Sequence, residues 1–432
     1  MPALRVLGVL SRVRAGRASA AIVGLAVVVA ALFATVAPHS ARAPATRAAV
    51  ASGLAWPVSF AFVPQGAPLG AIRAPPDTIV YNELFTGNVT AVANGQSLGR
   101  VANVTVSTNG EQGLLGLALA PDYRTAPWAY VYYTYLNATL GAALNRVSRL
   151  WLGTPGLPGP PVEEILLDGI PAATNHNGGI LGFAPDGTLF ATTGDARVPS
   201  NAQDNASLSG KVLRIDRDGS IPADNPVPGS PVYTLGHRNV FGLAFHPVTG
   251  TPYVSENGPT QDDEVNVLEA GRNYGWPLTT GAAGDPRFVD PILTYASVIA
   301  PTGLAFYTGS YVPWRDALFL GDWNRGDLHR LTLGGATYRQ VLGDVVEDSV
   351  GSQGILDVED GPDGYLYAST TDAIYRVNAT GAPPPGATGL PLAPILAAIG
   401  LAVVALLFLI AVVGERRRRV PPPGPPAAPP PP

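Results

Sequence analysis

The sequence predicts an all-β protein, a six-bladed β-propeller ectodomain with a C-terminal transmembrane helix. Two observations carry this prediction: a strand-rich motif recurs through residues 51–380, and an uncharged apolar run follows near the C-terminus. Helical periodicity is scarce in the first region, where short β-rich runs alternate with Gly, Pro, Asn and Asp. The predicted organisation is one extended β domain followed by a membrane segment.

The recurring motif consists of a small-residue entry, an apolar strand, a turn with Pro or Gly, and a second apolar strand. Its six copies are PVSFAFVPQG with TIVYNELF (57–66, 78–85), QGLLGLALAPDY with AYVYYTYL (112–123, 129–136), NGGILGFAPDG with TLFATTGD (177–187, 188–195), NVFGLAFHPVTG with TPYVSENG (239–250, 251–258), APTGLAFYTG with ALFLGDWNRG (300–309, 317–326), and SQGILDVEDGPDG with YLYASTTD (352–364, 365–372). A period of roughly 50 to 65 residues is typical of four-stranded propeller blades. A β-sandwich array is the alternative, but it would not explain the repeat.

Residues 1–43 have the layout of a secretory signal peptide or a signal anchor. Four arginines and no acidic residue precede an uncharged apolar run over 18–37. Cleavage near SARA (40–43) would remove this segment. A run of about 20 apolar residues is also long enough to stay in the membrane as an anchor, so both alternatives remain open.

Residues 391–413 are predicted to form a transmembrane helix, because the run over 395–413 is apolar throughout. The four arginines at 416–419 should stay in the cytoplasm. Residues 381–390 then form a Pro/Gly linker, and 414–432 form a basic, then Pro-rich cytoplasmic tail. This topology anchors the protein in the cell membrane and places the propeller on the extracytoplasmic side.

The charge and composition of the propeller region exclude some classes of partner and site. Residues 51–380 carry 31 acidic and 17 basic side chains, so the net charge is about −14. This argues against nucleic acid as a partner, because phosphate binding needs a basic face. The chain has no cysteine, which excludes disulfides and thiolate metal sites. Five N-x-S/T sequons fit a surface protein, although such short motifs also arise by chance.

One candidate functional residue is His176, which lies in TNHNGG (174–179) at the entry of the third copy. The two glycines allow a ligand to approach the backbone closely. A histidine can act as a general base near neutral pH. From these residues alone, a histidine that caps a turn is the alternative.

Two further stretches carry polar residues at matching positions. Arg238, in LGHRNVFGLAF (235–245), could stabilise an oxyanion or clamp a carboxylate, or it could form an ion pair between blades. The stretch SENGPTQDDEVNVLEAGRNYGWP (255–277) gathers four acidic side chains near a Gly–Pro turn. Carboxylates and free loop carbonyls suit Ca²⁺, which takes about six to eight oxygen ligands. A solvated acidic loop is the alternative.

The chain resembles the soluble quinoprotein glucose dehydrogenase family, also called glucose/sorbosone or aldose sugar dehydrogenases. The resemblance covers about 55–378, and the matching phrases occur in order: EQGLLGLALAPDY, NHNGGILGFAPDGTLFATTGDA, SLSGKVLRIDRDGSIPADNP, YTLGHRNVFGLAFHP, SENGPTQDDEVNVLEAGRNYGWP and PTGLAFY. It implies a six-bladed propeller that holds pyrroloquinoline quinone (PQQ) and Ca²⁺.

The resemblance also implies roles for individual residues. His176 matches the base that takes the proton from the anomeric hydroxyl of the sugar, with hydride passing to the quinone to give a lactone. Arg238 matches the arginine that polarises the accepting quinone carbonyl, and Asn239 is its neighbour in the site. Gln112 matches a residue beside the cofactor and the sugar. With these matches, a base is favoured over a turn cap for His176.

The same resemblance implies two calcium regions. Gly258 and Pro259 match the residues whose backbone carbonyls hold the Ca²⁺ of the cofactor, where the metal acts as a Lewis acid. Asp263, Glu264 and Tyr274 match a second, structural Ca²⁺ region. Both regions fall in the acidic stretch that composition alone had marked.

The sequence departs from the family where the family holds the three carboxylates of PQQ. The family lysine of blade five falls on Asn324, with Arg325 next to it as a possible substitute. The basic residues of blade six fall where this chain has Ile355 and Leu356, and the sole lysine, Lys211, is in another repeat. Each lost charge-assisted hydrogen bond costs roughly 1.5–3 kcal/mol, so PQQ binding should be weaker by orders of magnitude.

Two functions of different class follow. The first is a membrane-anchored, outward-facing, PQQ-dependent dehydrogenase that oxidises a sugar and passes electrons to an unknown acceptor. The second is a non-catalytic, calcium-stabilised propeller that binds glycan or protein at the cell surface. A metal-dependent lactonase on a similar propeller is disfavoured, because the sequence shows no carboxylate metal cage.

Overall fold

The computed structural model describes residues 45–153 and 163–378. These residues form 26 β-strands and two short 3-10 helices. Neither helix in these ranges has the length and apolar character needed to cross a membrane. The predicted signal segment, linker, transmembrane helix and cytoplasmic tail lie outside the described residues, so they remain predictions.

The strands are mostly short. In chain order they are β1 (Thr46–Ser52), β2 (Phe60–Phe62), β3 (Pro68–Leu69), β4 (Ile72–Arg73), β5 (Thr78–Asn82), β6 (Asn88–Ala93), β7 (Gln96–Asn103), β8 (Leu114–Leu119), β9 (Trp128–Asn137), β10 (Ala142–Trp151), β11 (Glu163–Pro171), β12 (Leu181–Phe183), β13 (Leu189–Thr192), β14 (Lys211–Ile215), β15 (Val232–Leu235), β16 (Val240–Phe245), β17 (Pro252–Glu256), β18 (Asp263–Val267), β19 (Leu293–Tyr295), β20 (Pro301–Phe306), β21 (Leu318–Asp322), β22 (Asp327–Gly334), β23 (Gln340–Ser349), β24 (Asp357–Asp360), β25 (Leu366–Ser369) and β26 (Ala373–Asn378). The 3-10 helices are Pro199–Gln203 and Gly351–Gln353.

Six antiparallel sheets of four strands each form the blades of a propeller. From the inner to the outer strand they are β2-β5-β6-β7, β8-β9-β10-β11, β12-β13-β14-β15, β16-β17-β18-β19, β20-β21-β22-β23 and β24-β25-β26-β1. The first two strands of every blade coincide with the two apolar runs of one copy of the sequence motif. The predicted six-bladed, all-β fold is therefore confirmed.

The ring closes through strands from opposite ends of the domain. β1 pairs antiparallel with β26, from Thr46 opposite Asn378 to Ser52 opposite Ala373. The first strand thus supplies the outer edge of the last blade and begins ahead of the predicted domain start at residue 51. Its sequence, TRAAVAS, belongs to no copy of the motif.

The second strands are buried on both faces because neighbouring blades cover them. β5 (TIVYN), β17 (PYVSE) and β21 (LFLGD) are buried at every residue. A strand covered on both sides needs no polar face, so it reads as a continuous apolar run instead of an alternating one. This is why the motif was visible in the sequence as paired apolar runs.

A glycine in the inner strands lets neighbouring blades approach closely. A Cβ at Gly116 in β8 would lie 2.0 Å from the carbonyl oxygen of Gly179 in the next blade. A Cβ at Gly242 in β16 would lie 2.2 Å from the carbonyl oxygen of Thr302 in β20. Since real Cβ atoms do not come this near to a backbone oxygen, only glycine permits this spacing around the channel.

Buried polar side chains join the inner strands across the blade boundaries. The bonds run from Ser59 Oγ to Leu117 O (3.2 Å), Thr192 Oγ1 to Val240 O (3.0 Å), Ser255 Oγ to Thr302 O (2.7 Å), Thr302 Oγ1 to Ile355 O (2.8 Å), and Phe60 N to Asp357 Oδ2 (3.1 Å). The last bond joins the sixth blade to the first. Inner strands have one free edge, and these bonds satisfy backbone groups that would otherwise be unpaired.

The sole lysine of the chain is a buried structural residue. Lys211 Nζ donates to the carbonyl oxygens of Asn201 (2.6 Å), Ala202 (3.1 Å) and Ser209 (2.9 Å), and the side chain is fully buried. Burial lowers the pKa of Lys211 to about 8, so it still carries its charge at neutral pH. These bonds fix the 3-10 helix Pro199–Gln203, from which Asn201 Nδ2 donates to Asp195 O at 3.0 Å. Lys211 therefore supports the loop that follows β13.

We expect Gly116→Ala to destabilise the protein by about 1–3 kcal/mol, because the new methyl group overlaps a backbone oxygen that has little freedom to move. Urea unfolding measures the change. Gly343→Ala in the outer strand β23 is the matched control, since a Cβ there meets nothing within 4 Å. Equal effects of the two substitutions would contradict the role given to the inner-strand glycine.

We expect Lys211→Met to lower the free energy of unfolding by about 3–5 kcal/mol, because methionine fills a similar volume and leaves three buried carbonyls without their donor. Thermal and urea unfolding measure the loss. Arg217→Met is the control: it removes a half-exposed cation paired with Asp122 and should cost less than about 1 kcal/mol. A loss as small as the control's would show that Lys211 is dispensable.

Candidate functional site

His176 lies in the loop before β12 and is held by a buried carboxylate. Its Nδ1 is 2.9 Å from Asp195 Oδ1; the His176 side chain is 16% exposed and that of Asp195 only 1%. Because a carboxylate can only accept, Nδ1 carries the hydrogen. Nε2 then keeps a free lone pair, which is the arrangement that a histidine base requires.

Asp195 is itself fixed by two further donors. Its Oδ2 accepts from Trp276 Nε1 at 2.9 Å, and its Oδ1 also accepts from the Arg197 backbone N at 2.8 Å. The backbone is strained in both loops: His176, before β12, and Ala196 and Arg197, after β13, all have φ between 53° and 61°, a region that favours glycine. Such strain persists where surrounding contacts hold the backbone, and it is common at functional sites.

Asp195 was not assigned a role from the sequence, although a signal for it was present. In three consecutive blades the second strand ends in an acid or is followed by one within three residues, in TTGD, VSEN and FLGD. Each acid contacts a histidine: Asp195 with His176, Glu256 with His237 at 2.8 Å, and Asp322 with His329 at 3.4 Å. The repeat therefore places a carboxylate at the same blade position each time, and only the first pair leaves its histidine accessible.

Arg238 and Asn239 lie in the equivalent loop of the next blade and contact the His176 loop. Asn239 Oδ1 accepts from Gly178 N at 3.1 Å, and its Nδ2 donates to Asn257 Oδ1 at 3.0 Å. Arg238 Nη1 donates to Asn257 O at 2.9 Å, and its guanidinium lies 5.5 Å from the centre of the Trp276 ring. Trp276 thus contacts both Arg238 and Asp195, and the structure brings the predicted base and the predicted arginine together.

A cavity of about 300 Å³ opens beside these residues, with walls from five blades. Its apolar lining includes Trp56, Phe85, Leu115, Phe241, Trp323 and Leu356. Its polar edge includes Glu111, whose Oε2 accepts from His176 N at 2.9 Å, together with Asn239 and Asn257. His176 and Arg238 do not line the cavity, but each contacts a residue of its polar edge, Glu111 and Asn257 respectively. The cavity is large enough for a small planar ligand.

Gln112, predicted beside the cofactor, is buried and engaged within its own blade and loop. Its Oε1 accepts from Ser107 Oγ at 2.7 Å, and its Nε2 donates to Ala173 O at 3.1 Å. The neighbouring Glu111 lines the cavity instead. Glu111 and Gln112 lie in the turn before β8, where the backbone changes direction at each residue, so a match in sequence does not fix which one faces the ligand.

The predicted calcium residues occupy one loop and the strand after it. Gly258 N donates to Asp263 Oδ1 at 2.6 Å, while Ile299 N and Ala300 N donate to Asp263 Oδ2 at 2.6 and 2.8 Å. Both oxygens of this carboxylate are therefore engaged by backbone donors. Asp263 organises the turn that carries Gly258 and Pro259, and its role as a calcium ligand stays a prediction.

Glu264 and Tyr274 are also buried and hydrogen-bonded. Glu264 accepts from Asn266 Nδ2 at 2.9 Å and from Gly281 N at 2.7 Å, and it lies opposite Glu256 across the β17–β18 ladder. Burial, and then the neighbouring Glu256, raise the pKa of Glu264 to about 7. The Tyr274 hydroxyl donates to Val267 O at 2.7 Å. A cation would relieve the repulsion between the two glutamates, which keeps this region a candidate metal site.

A different group has the geometry of metal ligands. Possible ligand atoms of Asp322, Asp327 and His329 lie within 4.8 Å of one another, and none of the three was predicted to bind metal. Burial lowers the pKa of His329, but hydrogen bonds to Asp322 and Asp344 raise it more, to about 9. A protonated His329 donates to both Asp344 and Asp322 and offsets part of their charge, so these contacts do not require an ion.

The predicted carboxylate clamp does not face the cavity. Asn324 Nδ2 donates to Val298 O at 3.1 Å, and Arg325 Nη2 donates to Ser297 Oγ at 2.8 Å. The residue of this loop that lines the cavity is Trp323. In the sixth blade Leu356 lines it as well, so both parts of the expected clamp present apolar side chains.

The lining fits the ring system of PQQ but not its three carboxylates. Aromatic walls suit a planar ring. No lysine or arginine is among the residues that line the cavity, and its single ionisable side chain, Glu111, is an acid. A carboxylate placed against the apolar walls would lose hydration without gaining a partner.

Comparison with known proteins identifies the family. A model of the glucose/sorbosone dehydrogenase family matches residues 67–376. An uncharacterised protein of Synechocystis is 33% identical over 354 residues, which cover 74% of this chain and 82% of that protein. Quinoprotein glucose dehydrogenase B of Acinetobacter calcoaceticus is 33% identical over 250 residues, which cover 51% of this chain and 52% of that protein.

A solved structure agrees with the match in sequence. The PQQ-bound form of aldose sugar dehydrogenase from Streptomyces coelicolor is 28% identical, with a TM-score of 0.62, and the match covers 78% of this chain and 99% of that one. The resemblance noted in the sequence is therefore confirmed. The chain belongs to the glucose/sorbosone dehydrogenase family, a family of sugar dehydrogenases that act on CH–OH donors.

Proposed function

We propose that the protein oxidises the anomeric hydroxyl of an aldose, or of a related sugar, to a lactone. The observation that carries this proposal is the His176–Asp195 pair, which lies next to the polar edge of the cavity, as Arg238 does. The pair supplies a base with a free Nε2, and the cavity supplies room for a planar acceptor beside it. Membership in a family of sugar dehydrogenases supports the choice of substrate.

The residues of the chain supply the proton chemistry. His176 Nε2 accepts the proton of the sugar hydroxyl, and the Asp195 carboxylate stabilises the imidazolium that forms. The hydride that leaves the anomeric carbon needs a two-electron acceptor, and a bound quinone supplies that capacity. Arg238 places a positive charge at the edge of the cavity, which favours negative charge developing on an oxygen there.

The proposal includes a calcium site at the turn of Gly258 and Pro259. A narrow cleft there is lined by Arg238, Glu256 and Glu264, and a divalent cation would offset the charge of the two glutamates. A metal near the acceptor would also act as a Lewis acid. The support is the concentration of buried carboxylates beside the free carbonyls of the turn.

We also propose that the propeller is held at the extracytoplasmic side of the cell membrane by a helix over 391–413. The apolar run and the arginines that follow it support this placement. Electrons would then pass to an acceptor in or at the membrane. The tail after residue 413 would lie in the cytoplasm.

The first test is sugar-dependent dye reduction by the full-length protein in detergent, with Ca²⁺, added quinones and a panel of aldoses. We expect activity that falls about 10²- to 10⁴-fold in His176→Ala, because the base is lost. We expect a smaller loss in Asp195→Asn, because an amide can still contact Nδ1 but does not stabilise the imidazolium.

Arg217→Ala is the control for this test, since its half-exposed side chain pairs with Asp122 and neither residue lines the cavity or the cleft. It should retain full activity. Undiminished activity in His176→Ala would remove the proposed base. A complete lack of sugar oxidation with every quinone, while Ca²⁺ still raises the melting temperature, would instead favour the non-catalytic binding propeller.

A further inference from the structure

We propose that the cavity binds an uncharged planar quinone in preference to the tricarboxylate PQQ. The inference rests on the proposed function, because that function identifies the ligand as an electron acceptor. The preference itself follows from the walls of the cavity and from where the nearby cations point.

The walls of the cavity contain three aromatic side chains that pack against one another. The Trp56 ring lies 5.4 Å from Phe85 and 5.8 Å from Trp323, centre to centre. Trp56 has φ 54°, which is rare for a bulky residue, and hydrogen bonds to Thr371, Val58 and Leu84 hold its backbone there. The fold therefore maintains a strained backbone that keeps an aromatic side chain in the cavity wall.

The charges of the cavity disfavour an anionic ligand. Glu111 is the one ionisable residue in the lining. Burial raises the pKa of Glu111, and the hydrogen bond from His176 N and the charges of Arg238 and Arg197 offset this only in part. The cations around this edge therefore already face a carboxylate of the protein, and a second set of carboxylates would compete with it.

In the fifth and sixth blades, the positions from which a cation could reach the cavity hold uncharged residues. Trp323 and Leu356 line that side, while the Arg325 guanidinium turns away to Ser297. Among the described residues, no lysine or arginine lines the cavity, and the arginines that act on its Glu111 edge are Arg238 and Arg197. An uncharged quinone needs only one donor for a carbonyl oxygen, and Arg238 has donors beyond the one given to Asn257.

The same ring chemistry occurs in free quinones and in the headgroups of membrane quinones. A ring that enters between the aromatic walls could carry an apolar tail out of the cavity mouth. The two sources differ in that tail, so the test includes a quinone with a tail and one without.

The test is a titration of the full-length protein in detergent, in the presence of Ca²⁺, followed by tryptophan fluorescence, since Trp56 and Trp323 line the cavity. The probes are menadione, a decyl-substituted benzoquinone, and PQQ. We expect saturable quenching with both uncharged quinones and at least about 10-fold weaker binding of PQQ, as the loss of one charge-assisted contact already implies. Tighter binding of the decyl compound would indicate the membrane source, and equal binding a free quinone.

Two variants make the outcome specific. Trp56→Leu should weaken menadione binding by about 10-fold or more, whereas Trp151→Phe, in the outer part of another blade, should leave it unchanged. Leu356→Arg, which adds a cation to the cavity lining, should strengthen PQQ binding by at least about 10-fold. The melting temperature of each variant confirms that it is folded.

Several results would overturn the inference. PQQ binding tighter than menadione in the wild-type protein would do so, and so would quenching that is insensitive to Trp56→Leu. Failure of the proposed function is a separate result: uncharged quinones would bind in the cavity, but no sugar would be oxidised. Conversely, tight PQQ binding with sugar oxidation would leave the function intact and remove the inference.

Discussion

The close approach of the inner strands is the constraint on which the rest of the molecule depends. Gly116 and Gly242 have no Cβ, and a Cβ at either would sit 2.0–2.2 Å from a backbone oxygen of the next blade. Hydroxyl groups such as those of Thr192 and Ser255 also bond from one blade to the next. Because the blades are held this tightly, the loops that end their strands meet around the axis at fixed distances. The contact of Asn239 with Gly178, between two blades, is a direct result.

The acid–histidine contact of the proposed site also occurs in two other blades. An acid ends the second strand or follows it within three residues in three consecutive blades, and a histidine contacts each acid. In the fourth blade His237 is fully buried against Tyr274, and in the fifth His329 is enclosed by Asp322 and Asp344. Only His176 keeps exposure, with the strained backbone of its loop turning it outward. An acid–histidine pair is thus part of the packed interior in the fourth and fifth blades, and in the third blade it provides a base.

Much of the fold and part of the candidate site could be predicted from the sequence, because the buried strands appear in it as repeated apolar runs. The paired apolar runs marked the first two strands of every blade, and the resemblance marked His176 and Arg238, which the structure brings together. β1 was missed because TRAAVAS belongs to no repeat and its partner lies at the other end of the domain. Trp323 was missed in favour of Asn324 and Arg325, because spacing along a loop does not determine where each side chain points. The role of Asp195 could be recognised only by comparing the equivalent positions of three consecutive blades.

The pairing of β1 with β26 has a consequence for biosynthesis. The first strand of the domain to be made waits for the last, Ala373–Asn378, before it gains its neighbour. Until then the ring stays open, and the unpaired edge is a template for unwanted association. Non-local pairing of this kind also forms slowly. Completion of the chain therefore acts as a checkpoint: a product truncated before residue 373 retains every loop of the proposed site but has no means of closing the ring around it.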